Sequence, residues 1–182
     1  MRMNAAFMRA DSPAIRTSEA KARAKPPPQP IIACVQGAAC GGGFGLALAS
    51  DVRLAGESAR MNAAFIRIGL SACDVGVSYF LPRLVGASVA AELLLTGRFI
   101  HAERARSLGL VSAVVPDGEL EAEARKLAEE MLGTSPLGLR LTKECLNASL
   151  DASSLDHVVA MEDRNQILCA QTRDFGERQH RE

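Results

Sequence analysis

Residues 30–45, PIIACVQGAACGGGFG, carry a short apolar run directly into a glycine-rich turn. The run Ile31–Val35 contains several β-branched residues and is bounded by proline and glycine, which predicts a buried strand. Small and apolar residues from Phe44 to Ser50 predict a buried helix, and Asp51 to Ala55 predicts a second strand. Strand, turn, helix and strand in this order indicate an α/β layer.

The turn itself contains the run Gly41-Gly42-Gly43, with Gly37 before it and Gly45 after it. Residues without bulk let the backbone approach a ligand closely. The start of a helix offers unpaired N–H groups and the positive end of the helix dipole, which can hold an anion or a carbonyl oxygen that gains charge. A second interpretation stays open, in which the glycines only allow tight packing of helix on strand.

Three familiar glycine motifs are absent from this turn. No Gly-Lys-Ser/Thr follows the glycines, so the turn is not a Walker phosphate loop. The spacing matches neither GxGxxG nor GxGxxA, and no GxSxG nucleophile elbow occurs. The turn therefore predicts neither a nucleotide site nor a serine nucleophile.

The chain beyond the second strand is predicted to be mainly helical. The predicted helices cover 75–85, 88–95, 101–108, 119–132, 135–150 and a last stretch from Ser153 or Ser154 towards Gln171, and one strand covers 111–115. Pro82 should bend the first of these helices. Asp117 is placed to cap the helix at 119–132.

The first 29 residues differ in composition from the rest. They are rich in alanine, arginine and lysine and end in a proline-rich run that favours an extended conformation. Residues 2–9, RMNAAFMR, nearly repeat residues 60–67, RMNAAFIR, but one repeat this short does not make a solenoid. We divide the chain into an atypical basic and proline-rich N-terminal segment at 1–29, an α/β core at 30–116 and a helical C-terminal region at 117–182.

Composition and charge exclude several classes of protein. The chain has 182 residues and a formal net charge of +0 at pH 7, which predicts neither nucleic acid nor a membrane surface as its main partner. No apolar run is long enough for a transmembrane helix, and the N-terminus lacks the apolar core of a secretory signal. The 5 cysteines stand singly and no HExxH occurs, so we expect reduced thiols in a cytoplasmic protein and no metal site.

A series of landmarks resembles, in order, those of the crotonase superfamily, the enoyl-CoA hydratase/isomerase family. Residues 29–43, QPIIACVQGAACGGG, resemble the family pattern KPVIAAVNGxAxGGG. Further landmarks are ASDVR at 49–53, LPRLVG at 81–86, LTGR at 95–98 and ARSLGLV at 105–111. The resemblance extends to about residue 150 and implies an α/β fold with a crotonase-like (ClpP/crotonase) ββα core, incomplete at the N-terminus and followed by a helical region.

The resemblance also implies where an acyl-CoA substrate binds. Family members polarise the thioester carbonyl with two backbone N–H groups, and Gly42 corresponds to the second of these donors. Its neighbours Gly41 and Gly43, together with Phe65 and Gly76, are the residues expected to contact the substrate and its coenzyme A. The segment that supplies the first donor in the family has no counterpart that resembles it in residues 1–25.

The catalytic acids depart from the family pattern. Hydratases of the family use two glutamates, whose positions correspond here to Gly45 and Phe65, and neither of these residues can transfer a proton. Asp74, in the loop before a predicted helix, is the candidate base, because some members carry an acid there beside the substrate's α-carbon. A capping role of Asp74 at a helix beginning near Val75 is an alternative, and the two roles can coexist.

The function implied by the resemblance is that of an acyl-CoA thioester enzyme, a lyase or isomerase of fatty-acid or related acyl-CoA metabolism. It would stabilise a thioester enolate during hydration or double-bond isomerisation of an enoyl-CoA. The alternative is a catalytically impaired or non-catalytic crotonase-like subunit or fragment. The resemblance further implies a homo-trimer or hexamer, with no cofactor besides the coenzyme A of the substrate.

Overall fold

The glycine-rich turn connects two small sheets and a buried helix in the computed structural model, which describes residues 6–9 and 27–179. The strands are β1 (Ala6–Arg9), β2 (Ile31–Val35), β3 (Ala38–Cys40), β4 (Val52–Gly56), β5 (Arg60–Asn62), β6 (Ile100–His101) and β7 (Ala113–Val115). The helices are α1 (Gly42–Ala49), α2 (Val77–Val85), α3 (Ala87–Thr96), α4 (Ala102–Ser107), α5 (Leu120–Leu132), α6 (Pro136–Ser149), α7 (Leu155–Ala170) and α8 (Arg173–Gln179). Turns of 3₁₀ helix lie at Ala64–Ile68 and Asp117–Glu119.

The described residues form two compact units. One unit, called the α/β unit below, contains residues 6–9, 27 and 31–126. The other, called the helical unit, contains residues 28–30 and 127–179. The division falls within α5, and no described helix is long and apolar enough to cross a membrane.

A parallel sheet of order β1-β2-β4-β7 forms one layer of the α/β unit within the described residues. Ile32 on β2 lies opposite Val52 on β4, and Leu54 on β4 lies opposite Ala113 on β7. Most of β2 is buried, as expected for a parallel strand covered on both faces. The carboxylate of Asp51 accepts a hydrogen bond from the Ile31 N–H at 2.6 Å and joins the starts of β2 and β4.

A second small sheet positions the glycine turn. Strand β3 leads directly into the turn and pairs in parallel with β5, which pairs antiparallel with β6. The core of the α/β unit forms where α1 meets both sheets. Its largest fully buried side chains are Phe44, Ile32, Leu48, Met61, Leu81, Leu93, Ile100, Leu110 and Val35.

A buried arginine closes the carboxyl end of α1. Arg53 on β4 donates from Nη1 to the carbonyl of Ser50 and from Nε to the carbonyl of Leu110, each at 2.7 Å. A positive charge at this end of a helix interacts favourably with the helix dipole. Burial lowers the pKa of Arg53, and the nearby charge of Asp51 opposes that shift.

The helical unit is built around serine caps and buried polar groups. Ser135 accepts a hydrogen bond from the Gly138 N–H at the start of α6, and Ser154 accepts one from the His157 N–H at the start of α7. Between these helices the buried Asn165 donates to the Leu141 carbonyl at 3.4 Å. Lys143 is also buried, and its Nζ donates to the carbonyl of Gln29 at 2.9 Å.

Most sequence predictions of secondary structure are confirmed, with small shifts of the ends. The strand at Ile31–Val35 and the helix opened by Ser135-Pro136 are found as predicted. Pro82 lies inside α2. The capping role predicted for Asp117 is wrong, because its carboxylate accepts a hydrogen bond from the Ser58 N–H instead. The predicted N-terminal segment at 1–29 lies outside the described residues, apart from 6–9 and 27–29.

Candidate functional site

Gly41 fixes the geometry of the turn where β3 passes into α1. Its φ of 53° is in the left-handed half of backbone space, which glycine adopts without a steric penalty. The Gly41 N–H donates to the carbonyl of Asn62 at 3.0 Å, and the Gly41 carbonyl accepts from the Gly45 N–H at 3.0 Å. Gly41 is therefore fully engaged in holding the turn against β5 and starting the helix.

The next two N–H groups have no such partner. Among the described residues, no backbone acceptor is found for the N–H of Gly42 or Gly43, which open α1. Unpaired N–H groups at a helix start are strong donors towards a negatively charged or polarised oxygen. The geometry of the turn thus allows the role that the sequence predicts for Gly42.

Phe65 covers the turn from the side. It lies in the 3₁₀ turn after β5, and a Cβ placed on Gly41 would stand 2.9 Å from its Cζ atom. Only a residue without a side chain permits this approach, so the ring forms an apolar wall on the backbone of Gly41. The structure thus brings Phe65 and Gly41 into contact.

Asp74 lies in an exposed loop before α2. Its Oδ1 accepts a hydrogen bond from the Val75 N–H at 2.8 Å, and its carbonyl accepts one from the Val77 N–H at 3.0 Å. The alternative in which Asp74 caps a helix starting near Val75 is wrong, because α2 starts at Val77 and its N-cap residue is Gly76, without a side-chain cap. Its carboxylate therefore stays available on one side of an exposed loop.

Val75 connects the loop of Asp74 to the glycine turn. A Cβ placed on Gly45 would stand 2.9 Å from the Val75 Cβ and 3.3 Å from its Cγ1. The Val75 side chain therefore lies directly against the backbone of α1, within one turn of Gly42. Gly76, which follows, has a left-handed φ of 78° and accepts hydrogen bonds from the N–H groups of Tyr79 and Phe80 at 3.0 Å.

Two residues near the site were not predicted from the sequence. Asn62 holds Gly41 through its backbone carbonyl, and its side-chain Nδ2 donates to the carbonyl of Gly97 at 2.9 Å. Its buried Oδ1 has no hydrogen-bond partner among the described residues. Val75 is the other. Neither has a local signal, because each acts on a residue distant in sequence, although Asn62 lies within the RMNAAF repeat.

Charge around the turn is limited. Partial desolvation of its thiol raises the pKa of Cys40, the last residue of β3, while the charge of Arg60 opposes the shift. Arg83 stacks on the Tyr79 ring, with 3.7 Å between the guanidinium carbon and the ring centroid. No group of three potential metal ligands is found in the part of the chain that the structure describes. The described site consists of the unpaired backbone N–H groups of Gly42 and Gly43, the apolar side chains of Phe65 and Val75, and the carboxylate of Asp74.

Comparison with known proteins identifies a single family. A family model described as enoyl-CoA hydratase/isomerase matches residues 8–181. A Mycobacterium tuberculosis protein named "Probable enoyl-CoA hydratase EchA12" is 48% identical over 140 residues, which cover 77% of this chain and 49% of that protein. The chain thus spans about half the length of the curated relatives it matches first.

Solved structures give the same result. The crystal structure of an enoyl-CoA hydratase/isomerase from Cupriavidus metallidurans CH34 matches with a TM-score of 0.76 and 40% identity, over 80% of this chain and 54% of that chain. A monofunctional enoyl CoA isomerase from M. smegmatis matches with a TM-score of 0.68 and 48% identity, over 72% and 62%. The relatives thus include a protein named as a hydratase and one named as an isomerase.

Proposed function

This chain belongs to the enoyl-CoA hydratase/isomerase family and has its crotonase-like fold, and we propose that it polarises the carbonyl of an acyl-CoA thioester and moves a proton beside it. One observation carries the proposal. The helix start with unpaired N–H groups at Gly42 and Gly43 lies against the loop of Asp74, through the contact of Val75 with Gly45. Hydrogen-bond donors for a carbonyl oxygen and a carboxylate base are thereby provided by neighbouring segments.

Gly42 is the proposed oxyanion donor. When a proton leaves the carbon next to a thioester, or the carbon two bonds further along an enoyl chain, negative charge develops on the carbonyl oxygen. An N–H fixed at a helix start stabilises that charge without reorganising, and loss of one such donor typically costs about 10²–10³-fold in rate. Gly41 and Gly43 keep the backbone narrow enough for the thioester to approach.

Asp74 is the proposed base. Its carboxylate removes a proton from the acyl chain, the electrons of the broken C–H bond pass into the enolate, and the proton returns to a different carbon. One group thus acts first as base and then as acid. The hydrogen bond from the Val75 N–H orients the carboxylate while leaving its other oxygen open to substrate.

Double-bond isomerisation fits the described residues better than hydration. Hydration needs groups that hold and activate a water molecule. Gly45 and Phe65 offer no proton-transfer group, and Asp74 alone is sufficient for moving a proton between two carbons. Phe65 and Gly76 are proposed to line the path of the acyl chain and its coenzyme A, which arrives as part of the substrate, so no separate cofactor is proposed.

A second candidate function is a non-catalytic crotonase-like subunit or fragment. It is favoured by one observation, that Gly45 and Phe65 stand at the positions that correspond to the family's two glutamates and cannot transfer a proton. In this case the chain would bind an acyl-CoA weakly, or not at all, and act through association with other chains. Proton exchange distinguishes the two candidates, because only the first requires it.

Association of several copies is proposed on the helical unit. Large apolar side chains on α6 and α7 are exposed, including Leu146 at 65% and Leu155 at 76%. Exposed apolar faces of this kind mark interaction surfaces. A homo-trimer or hexamer in the cytoplasm is the proposed form, and sedimentation equilibrium of the purified chain measures it.

The proposed activity is tested with crotonyl-CoA in deuterated water, followed by NMR. Deuterium is expected to enter the acyl chain without net hydration, and Asp74→Asn is expected to abolish the exchange. Asp163→Asn, which removes an exposed carboxylate on α7, is the matched control and should exchange like the parent. A folded parent chain that exchanges no deuterium contradicts the proposal and leaves the non-catalytic candidate in first place.

A further inference from the structure

Val75 has a backbone conformation that residues of its type avoid. Its φ of 50° is the one positive φ of a non-glycine residue in the described part of the chain. For a β-branched side chain this is a genuine outlier, because the Cβ crowds the following carbonyl oxygen. Strain of this kind persists only where the surrounding structure holds it, and it is concentrated at functional sites.

Two contacts hold Val75 in this conformation. On one side its N–H donates to Asp74 Oδ1 at 2.8 Å. On the other side its side chain lies on Gly45, so closely that even a methyl group on Gly45 would meet the Val75 Cβ at 2.9 Å. One residue thus orients the proposed base and fills the space beside the first turn of α1.

The side chain of Val75 contains only carbon and hydrogen, and this restricts the chemistry beside Asp74. A water molecule in a protein site needs room and two to four polar partners. The Val75 side chain takes the room next to Gly45 and offers no hydrogen bond. Resting on the function proposed above, we infer that Val75 is a specificity-determining residue, which keeps nucleophilic water from the reacting carbons and restricts Asp74 to proton transfer.

The two competing reactions differ in what they need from this space. In isomerisation a C–H bond at the γ-carbon breaks, Asp74 takes the proton, and a C–H bond forms at the α-carbon as the double bond moves. In hydration a water oxygen forms a bond to the β-carbon, one water proton passes to a base, and the α-carbon gains a proton. Only the second reaction needs room for water, so filling that room selects the first.

Val75→Ala tests the exclusion of water. With crotonyl-CoA in deuterated water, the ratio of 3-hydroxyacyl product to deuterium exchange is expected to rise about tenfold or more, since a positioned carboxylate can activate the admitted water. Val89→Ala, at a half-buried valine on α3, removes the same two methyl groups elsewhere in the unit and should leave the ratio unchanged. A purely structural role of Val75 would lower both reactions together and would not alter their ratio.

A pair of variants tests the contact itself. Gly45→Ala places a methyl group against Val75, so the loop and Asp74 must shift, and deuterium exchange is expected to fall about 100-fold, as misplacement of a reacting group does. Adding Val75→Gly removes the contact and supplies a residue that adopts the left-handed conformation freely. The double variant is therefore expected to exchange at least about tenfold faster than Gly45→Ala, because contacting residues are not additive.

Three outcomes separate the two proposals. A folded parent that does not exchange contradicts the proposed function, and the inference on Val75 fails with it. If the parent exchanges and Val75→Ala leaves the product ratio unchanged, the inference alone is overturned. A double variant as slow as Gly45→Ala also overturns it. Amide NMR checks the fold of each variant, and if Val75→Ala does not fold, the product ratio of Val75→Gly, which adopts the left-handed conformation freely, decides.

Discussion

The α/β unit and the helical unit are stabilised by different interactions. In the α/β unit, α1 and the strands around it bury a continuous cluster of apolar side chains, among them Phe44, Met61 and Leu81. In the described helical unit, Ala128 and Leu141 are the buried apolar residues, while Lys143 and Asn165 are buried polar ones. Most large apolar side chains that the described chain exposes lie in the helical unit. They are Leu132, Leu146, Leu150, Leu155, Val159, Ile167, Leu168 and Phe175.

This difference indicates where each unit obtains its stability. Burial of apolar surface contributes most to folding, and the α/β unit has such burial within itself. The helical unit has serine caps and internal hydrogen bonds, and it leaves most of its large apolar side chains exposed. The site lies in the unit that is stable by its own packing, which keeps the backbone donors of the glycine turn fixed. Substitutions in the two units test this contrast.

Phe44→Ala is expected to lower the free energy of unfolding by about 3–5 kcal/mol, because it leaves a cavity in a packed core. Phe44 is fully buried on α1, one residue after the glycine run. Leu146→Ala on α6 should change the free energy of unfolding by about 0.5 kcal/mol or less in a dilute solution of the chain, since substitutions of exposed residues have small effects. Urea denaturation measures both. Similar losses for the two variants would contradict the contrast between the units.

Arg53→Met is expected to cost about 2–3 kcal/mol, because hydrogen bonds from a charged donor are strong and their buried acceptors would lose their partner. The acceptors are the carbonyls of Ser50 and Leu110, which belong to different segments of the α/β unit. Arg106→Met, at an exposed position on α4, is the control. Equal denaturation midpoints for these two variants would show that Arg53 is not a structural link.

Ser154→Ala is expected to lower the free energy of unfolding by about 1 kcal/mol, the usual cost of losing an N-cap. Its Oγ accepts from the His157 N–H at 3.3 Å and starts α7. Ser153→Ala removes a neighbouring hydroxyl that is exposed and should have almost no effect. Helical content, followed by circular dichroism during urea titration, distinguishes the two serines, which the sequence left as alternatives. A larger loss for Ser153→Ala would contradict the cap.

The sequence predicted well the elements that depend on local pattern. Strand β2 and helix α1 follow from an apolar run and a glycine-rich boundary, and the caps of α6 and α7 follow from serine placed before a helix. Strands β3, β5 and β6 were missed, because each has only two or three residues and exists through pairing with distant segments. Strand β1, which has 4 residues, was also missed, because it exists through parallel pairing with β2, far along the chain.

The candidate site was predictable to a similar extent. Glycine spacing located the donors at the start of α1, and resemblance drew attention to Phe65 and Asp74. The contact of Val75 with Gly45 could not be predicted, since it joins a loop to helix α1, and their separation in space depends on the whole unit. The left-handed conformation of Val75 also contradicts the preference of valine, so propensity argues against it.

Substitution of Asp117, whose predicted capping role is wrong, is expected to have the smallest effect on stability. Hydrogen bonds from the Ser58 side chain and N–H, with a further one from the Gln36 side chain, lower the pKa of Asp117. Because the folded pKa lies below the unfolded value, this carboxylate stabilises the fold above the unfolded pKa. The contribution is lost as pH falls through the folded pKa.

Asp117→Asn is therefore expected to destabilise the chain slightly near pH 7 and to flatten the decline of its stability below about pH 4, the usual range of an aspartate. Urea denaturation at pH 7 and at several acidic values measures this slope, with Asp156→Asn, an exposed carboxylate on α7, as the control. An unchanged slope would show that Asp117 does not join the ends of β4 and β7. The aspartate would then owe its position only to the space left by Gly56, where any added Cβ would collide with its carboxylate.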